Sequence, residues 1–187
     1  MLDGVLIIDK PSGITSHDVV AKVRKALKTK KVGHTGTLDP LATGVLVVCV
    51  EKATKLVNYL TCDEKIYEVE MKLGIKTDTG DITGNIIDED TNYKVTIKEV
   101  NEVIKSFVGK QKQIPPMYSA IKVNGQKLYE LARKGIEIER EPRDIEIFDI
   151  YNIEINNELI KYTVHCSKGT YVRSLCEDIA QRLGTIG

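Results

Sequence analysis

The chain has 187 residues, is 42% hydrophobic and 29% charged, and sets 27 Lys and Arg against 27 Asp and Glu for a formal net charge of zero. That length fits one large domain or two small ones and allows roughly 70% of the unfolded surface to be buried, so disulfide or metal staples are not required. No apolar run approaches the ~20 residues of a membrane-spanning helix, and Met1-Leu2-Asp3-Gly4 lacks the basic lead and small-residue cleavage site of a signal peptide, so a cytoplasmic chain is expected.

Residues 4–9 form an apolar run that predicts a buried strand, and Pro11-Ser12-Gly13 predicts a turn. Thr15 and Asp18 suit a helix start, after which Val19, Val20, Val23, Ala26 and Leu27 recur at helical spacing. Lys22, Arg24, Lys25, Lys28, Lys30 and Lys31 fall within ten residues with no acid among them. Residues 1–60 as a whole hold nine basic against five acidic side chains, a net of +4 that the remainder offsets with −4. Alone, such a cluster is a solvated helix face. Placed directly before the next segment, it predicts a rim that contacts phosphates.

That segment, residues 33–44, reads Gly-His-Thr-Gly-Thr-Leu-Asp-Pro-Leu-Ala-Thr-Gly. Long loops rich in Gly and small polar residues, set on a rigid scaffold, are where catalytic groups concentrate. Asp39 is the loop's only carboxylate, so any acid, base or nucleophile role here falls to it, although Asp-Pro by itself is also an ordinary turn start.

A strand over 45–50 and a short helix over 53–60 follow. From 66 to 73 the period is two, with Tyr67, Val69, Met71 and Leu73 on one face and Glu68, Glu70 and Lys72 on the other. Residues 77–84 are polar and turn-rich. Thr96 and Glu99 make a capping box for a helix bearing Ile97, Val100, Val103, Ile104 and Phe107, closed by Gly109. Pro115 and Pro116 keep 114–118 extended, and Asn124-Gly125 signals a hairpin. A helix over 128–134 ends at Gly135. Strands over 145–155 and 159–166, joined by Asn156-Asn157, precede Lys168-Gly169-Thr170 and a last helix over 171–183 closed by Gly184. Strands adjoin strands as often as helices, which predicts an α+β fold with a mixed, mostly antiparallel sheet and flanking helices. Cys49, Cys62, Cys166 and Cys176 show no Cys-x-x-Cys pair and are expected as reduced thiols.

Four segments, in order, resemble the TruB-type tRNA pseudouridine synthases: residues 4–13 (GVLIIDKPSG), residues 33–44, Lys65-Ile66-Tyr67, and Lys168-Gly169-Thr170-Tyr171-Val172-Arg173. The stretch 114–140 is similar to the RNA-gripping insertion of the bacterial branch, so a catalytic domain over 1–187 with an RNA-binding insertion at about 110–140 is expected. The resemblance implies a central active-site cleft and an isomerase that converts the T-loop uridine of tRNA at position 55 to pseudouridine. It implies a monomer whose partner is the T-stem loop of tRNA, with no membrane, no metal and no organic cofactor. It makes Asp39 the nucleophile, Arg173 the cation that pairs with it, and Tyr67 the ring that packs on the target base and serves the later proton removal. Tyr171 and Lys10 become substrate contacts, and His34 helps to extrude the uridine. The Lys22 to Lys31 cluster, Lys110, Lys112 and Lys122 become RNA contacts. Taken singly, each has a plainer reading: a turn for Asp39, a solvated helix residue for Arg173, a core tyrosine for Tyr67, a structural histidine for His34. His17 and His165 carry no such match, and no His-x-x-His spacing suggests a metal.

Family members normally continue past this chain's last helix into another strand, with an apolar pocket residue and an Arg, and then a small PUA-like domain. A chain shortened at its C-terminus is therefore expected, and a catalytically silent RNA-binding fragment is the alternative function. A phosphate-cradling nucleotide enzyme is excluded, because no Gly-Lys-Ser/Thr follows Gly36 or Gly44.

Overall fold

The strand expected at 4–9 is β1 (Gly4–Lys10). Its alternation turns Leu6 and Ile8 toward a core and leaves Val5 and Ile7 exposed. The computed structural model describes residues 3–61 and 64–187, and the chain divides into two units, residues 1–63 and residues 64–187.

In the first unit, β1 leads to α1 (Ser16–Ala26), β2 (Val32–His34), β3 (Gly44–Val50), a 3-10 helix (Glu51–Leu56) and α2 (Val57–Leu60). The sheet order is β1-β3-β2, and β1 pairs with β3 along its whole length, from Gly4↔Val50 to Lys10↔Gly44. The capping box of α1 is complete: Thr15 Oγ1 accepts from the Asp18 N–H at 3.0 Å, and the Asp18 carboxylate accepts from the Thr15 N–H at 2.8 Å. Val19, Val20 and Val23 then meet Val32, Leu46, Val48 and Val50 in an aliphatic core. Each such side chain contributes about 1.5–3 kcal/mol on full burial. Ala26 and Leu27, expected on the same stripe, are exposed, because the helix ends there and Lys28 takes a left-handed φ of 50°. The helix expected over 53–60 is 3-10 in its first part. Glu51 leaves β3 at φ 55°, its N–H donating to Lys31 O at 2.7 Å and its carboxylate accepting from the Thr29 hydroxyl.

The second unit comprises β4 (Glu64–Lys72), β5 (Ile75–Thr77), β6 (Ile86–Glu89), α3 (Ile97–Lys105), β7 (Gly109–Gln113), β8 (Lys122–Val123), β9 (Gln126–Lys127), α4 (Leu128–Ala132), β10 (Arg143–Asn156), β11 (Leu159–Ser167) and α5 (Val172–Arg182). Its main sheet has the order β4-β11-β10-β7, and every described pairing in the chain is antiparallel. Met71 and Leu73 from β4, Val100 and Ile104 from α3, Ile160 and Val164 from β11, and Leu175 and Ile179 from α5 share one buried core, with Tyr67 and Val69 packed against it. Glu68, Glu70 and Lys72 lie on the exposed face, as the period-two pattern requires.

Strands β2, β5, β6 and β7 carry no sequence signal. Strand β7 reads Gly-Lys-Gln-Lys-Gln without an apolar residue, yet pairs with β10 from Gly109↔Ile147 to Gln113↔Arg143. The β5–β6 hairpin brackets the polar turn expected at 77–84. The β10–β11 connection falls one residue later than expected, since Asn156 still pairs with Leu159 and Asn157 takes φ 54°. Cys49, Cys166 and Cys176 are free thiols, and Cys62 lies outside the described residues. Among the described residues, no helix is long and apolar enough to cross a membrane, which says nothing of a β-barrel.

Candidate active site

In the first unit the Gly-Thr loop is pinned on both sides of Asp39. The Leu38 N–H donates to Ser16 Oγ at 2.9 Å, and the same hydroxyl lies 3.2 Å from Leu38 O. The Pro40 carbonyl accepts from the Gly13 N–H at 2.8 Å and from Lys10 Nζ at 3.2 Å. The Ala42 N–H closes the turn onto Asp39 O at 3.1 Å. The Asp39 carboxyl group, half-buried, therefore stands on a backbone whose two flanking residues are each held by the β1–α1 connection.

Lys10 is completely buried. Its Nζ also reaches Pro11 O at 2.9 Å and Ile14 O at 2.8 Å. An ammonium has three donors, and all three are spent on main-chain carbonyls. Burial pulls the Lys10 pKa down, and the negative charge of Asp39 acts against that shift. Lys10, expected as a substrate contact, is thus a clamp on the loop. His34 ends β2 opposite Val48, and its Nδ1 is buried without a hydrogen-bond partner among the described residues.

The basic cluster divides. Lys22, Lys25, Lys28, Lys30 and Lys31 are exposed, as an RNA-contacting rim requires. Arg24 is half-buried: its Nη2 donates to Val32 O at 3.0 Å, tying α1 to β2, and its Nε is buried. Charge in a sequence does not say whether the donor faces water or a carbonyl.

In the second unit, Tyr171 caps α5 and Arg173 lies in its first turn. The half-buried Arg173 guanidinium donates from Nη1 to Thr79 O and from Nη2 to Tyr118 O, both at 2.9 Å. Arg173 thereby joins the 77–85 turn to the Pro-rich segment. Gly80, at φ 70°, lets that turn lie close: a Cβ there would meet Glu177 Oε1 at 3.3 Å and Arg173 Cβ at 3.6 Å. Within the turn, Asp81 Oδ1 accepts from Thr79 Oγ1 and from the Thr83 N–H, each at 2.9 Å. Burial alone would raise the Asp81 pKa, but these hydrogen bonds and the charge of Arg173 outweigh it and leave the group below its ordinary value. Tyr67 lies opposite Val164 on β4, half-buried against the core. Lys122 is exposed on β8, and Lys110 and Lys112 are exposed on β7.

Sequence reasoning missed Ser16, Thr79 and Gln113, which bond to Leu38, Arg173 and Tyr171, and also Asp81, which braces the 77–84 turn, and Ser174, which bonds to Ile114 O. Their partners are mostly tens of residues away, and only Thr79 and Asp81, inside a recognised turn, carry a local signal. Among the described residues, no group of three or more His, Cys, Asp or Glu is placed to hold a metal ion.

The chain matches the TruB family pseudouridylate synthase N-terminal domain over residues 24–172, a span that includes Asp39, Tyr67 and Tyr171. It is 54% identical over 183 residues to tRNA pseudouridine synthase B of Clostridium perfringens strain 13, covering 97% of this chain and 62% of that one. The Bacillus subtilis strain 168 protein of the same name is 54% identical over 190 residues, covering 98% and 62%. The crystal structure of a Cbf5-Nop10-Gar1 complex superposes with a TM-score of 0.74 at 34% identity, covering 98% of this chain and 45% of that one. An H/ACA ribonucleoprotein bound to a substrate RNA containing 2'-deoxyuridine superposes at 0.70 and 31%, covering 98% and 44%. The chain thus spans less than two thirds of the length of these relatives. With four motifs in order, an α+β fold of the expected kind and a domain match over most of its length, the chain belongs to the TruB family of pseudouridylate synthases.

Proposed function

We propose that the protein is a tRNA pseudouridine synthase that isomerises the uridine at position 55 in the T loop. The reaction breaks the C1′–N1 bond, turns the freed uracil, forms a C1′–C5 bond and removes the C5 proton while N1 takes one up, with no oxidant or reductant consumed. A carboxylate suits the opening step as a nucleophile on C1′ of the ribose or C6 of the uracil. Asp39 takes that role, and Arg173 supplies the permanent cation it requires. Tyr67 packs on the base and serves the proton removal from C5. Tyr171 is a second substrate contact, and His34 fills the space that the extruded uridine leaves. Flipping the nucleotide costs a few kcal/mol, offset by ~1–3 kcal/mol of stacking on an aromatic ring and by phosphate contacts from the exposed lysines. The same reading takes the protein as a cytoplasmic monomer that uses neither a metal nor an organic cofactor.

The observation that supports the assignment most directly is the double clamp around Asp39, with Leu38 on Ser16 and Pro40 on Lys10 and Gly13. A backbone fixed on both sides presents a carboxylate without further ordering cost, which is what a positioned nucleophile needs. Release of tritium from tRNA labelled at C5 of uridine tests the reading. The unsubstituted protein should release it, and Asp39→Asn should abolish release while tRNA affinity stays within about twofold, since only the nucleophile is lost. Normal turnover by Asp39→Asn would refute the mechanism. Tight tRNA binding without any release by the unsubstituted protein would favour the silent RNA-binding alternative.

A further inference from the structure

We propose that Gln113 is a positioning residue for this reaction, holding Tyr171 and Arg173 through a two-bond amide pair. The inference rests on the functional reading above. Gln113 closes β7 and is 4% exposed. Its Oε1 accepts from the Tyr171 N–H at 2.8 Å, and its Nε2 donates to Tyr171 O at 3.0 Å. The side-chain amide therefore acts as one peptide unit of a neighbouring strand would, satisfying both main-chain groups of the residue that caps α5. Tyr171 makes no cap bond with its own side chain, and the amide fixes the main chain of this cap residue where α5 begins. Only an amide of this length supplies an acceptor and a donor together at that spacing.

From Gln113 the chain continues past the helix start and bends at Met117 and Tyr118. Ile114 O accepts from Ser174 Oγ at 3.2 Å, and Tyr118 O accepts from Arg173 Nη2 at 2.9 Å. Residues 113–118 thus strap the first turn of α5, and Gln113 is the point at which a side chain of the strap grips the helix backbone. Without it, the Tyr171 N–H loses its acceptor, Tyr171 O keeps only the Leu175 N–H at 3.1 Å, and the helix start is free to shift. A displacement of about 1 Å at a catalytic group costs on the order of 100-fold in rate.

Two substitutions separate positioning from general stability. Gln113→Met keeps the volume and removes both hydrogen bonds. Gln113→Asn keeps the amide but withdraws it by a methylene, and it serves where the Met variant does not fold. Tritium release measured over a range of tRNA concentrations should show kcat reduced on the order of 100-fold for Met and less for Asn, with KM for tRNA little changed. Amide hydrogen exchange should show the Tyr171 N–H losing protection in both variants while the β4–β11 amides keep theirs. A raised KM at unchanged kcat, or unchanged exchange at Tyr171, overturns the proposal. Loss of protection throughout the second unit with wild-type kcat makes Gln113 merely structural and overturns it as well. If the unsubstituted protein releases no tritium, the functional reading fails, and with it the link to catalysis, whereas Tyr171 exchange still reports separately whether Gln113 holds the helix start.

Discussion

Lys10 shows how many main-chain groups a single buried cation can hold. It bonds to three carbonyls on two segments, one of them next to Asp39, from a position with no exposed surface. Replacing it with Met would take a donor from all three carbonyls, of which Pro40 O keeps the Gly13 N–H. A buried group deprived of its partner costs about 1–3 kcal/mol, so Lys10→Met should lower unfolding stability by at least that range in urea titration. Turnover should fall further than stability alone explains, because Pro40 is then held by the Gly13 N–H alone. An unaltered urea midpoint would show that the clamp contributes nothing. Arg24 teaches the same lesson. Both residues read as ligand-binding cations in the sequence, yet each has donors turned to main-chain oxygen.

At the scale of elements, the 77–85 turn is the clearest case of structure recruited to a site. The sequence marked it as polar and turn-rich, but nothing in it pointed to Arg173, 94 residues from Thr79 in the chain. Gly80 is the point of closest approach. Gly80→Ala would carry a left-handed φ of 70° and press a methyl group on Arg173 and Glu177. Backbone strain of this kind costs an Ala about 1–2 kcal/mol. Gly184, at φ 78° with open space around it, should bear a similar stability loss on substitution by Ala. The two variants should therefore melt alike, while only Gly80→Ala loses turnover. Equal activity in both would mean that the turn does not set the arginine. Strand β7 was invisible for a different reason: its five residues hold no apolar side chain, and its pairing with β10 and the burial of Gln113 come from tertiary contact.

At the scale of the whole molecule, a net charge of zero conceals an uneven distribution, with +4 in residues 1–60 and −4 beyond. The five exposed lysines of the α1 cluster carry the polyanion-binding expectation. Neutralising one phosphate-binding lysine lowers the dependence of log affinity on log salt by roughly one. Lys28→Gln, Lys30→Gln and Lys31→Gln together should therefore flatten the salt dependence of tRNA binding by up to about three and weaken binding at low salt. A slope identical to that of the unsubstituted protein would remove these residues from the RNA footprint. Arg24→Gln should instead lower stability and leave the slope unchanged.

The amino-acid sequence alone determined the class of fold, most element positions and the apolar faces, and it singled out Asp39 as the candidate nucleophile. Periodicity and capping are local properties, and the loop around Asp39 has a composition that packing alone does not produce. Tertiary structure decided which polar groups face solvent and which are spent within the protein. Lys10, Arg24, Ser16 and Gln113 owe their roles to carbonyls, N–H groups and hydroxyls that the fold brings to them, often from tens of residues away. The hydrogen-bonding capacity of a side chain is written in the sequence, but its partner is supplied only when the chain closes on itself.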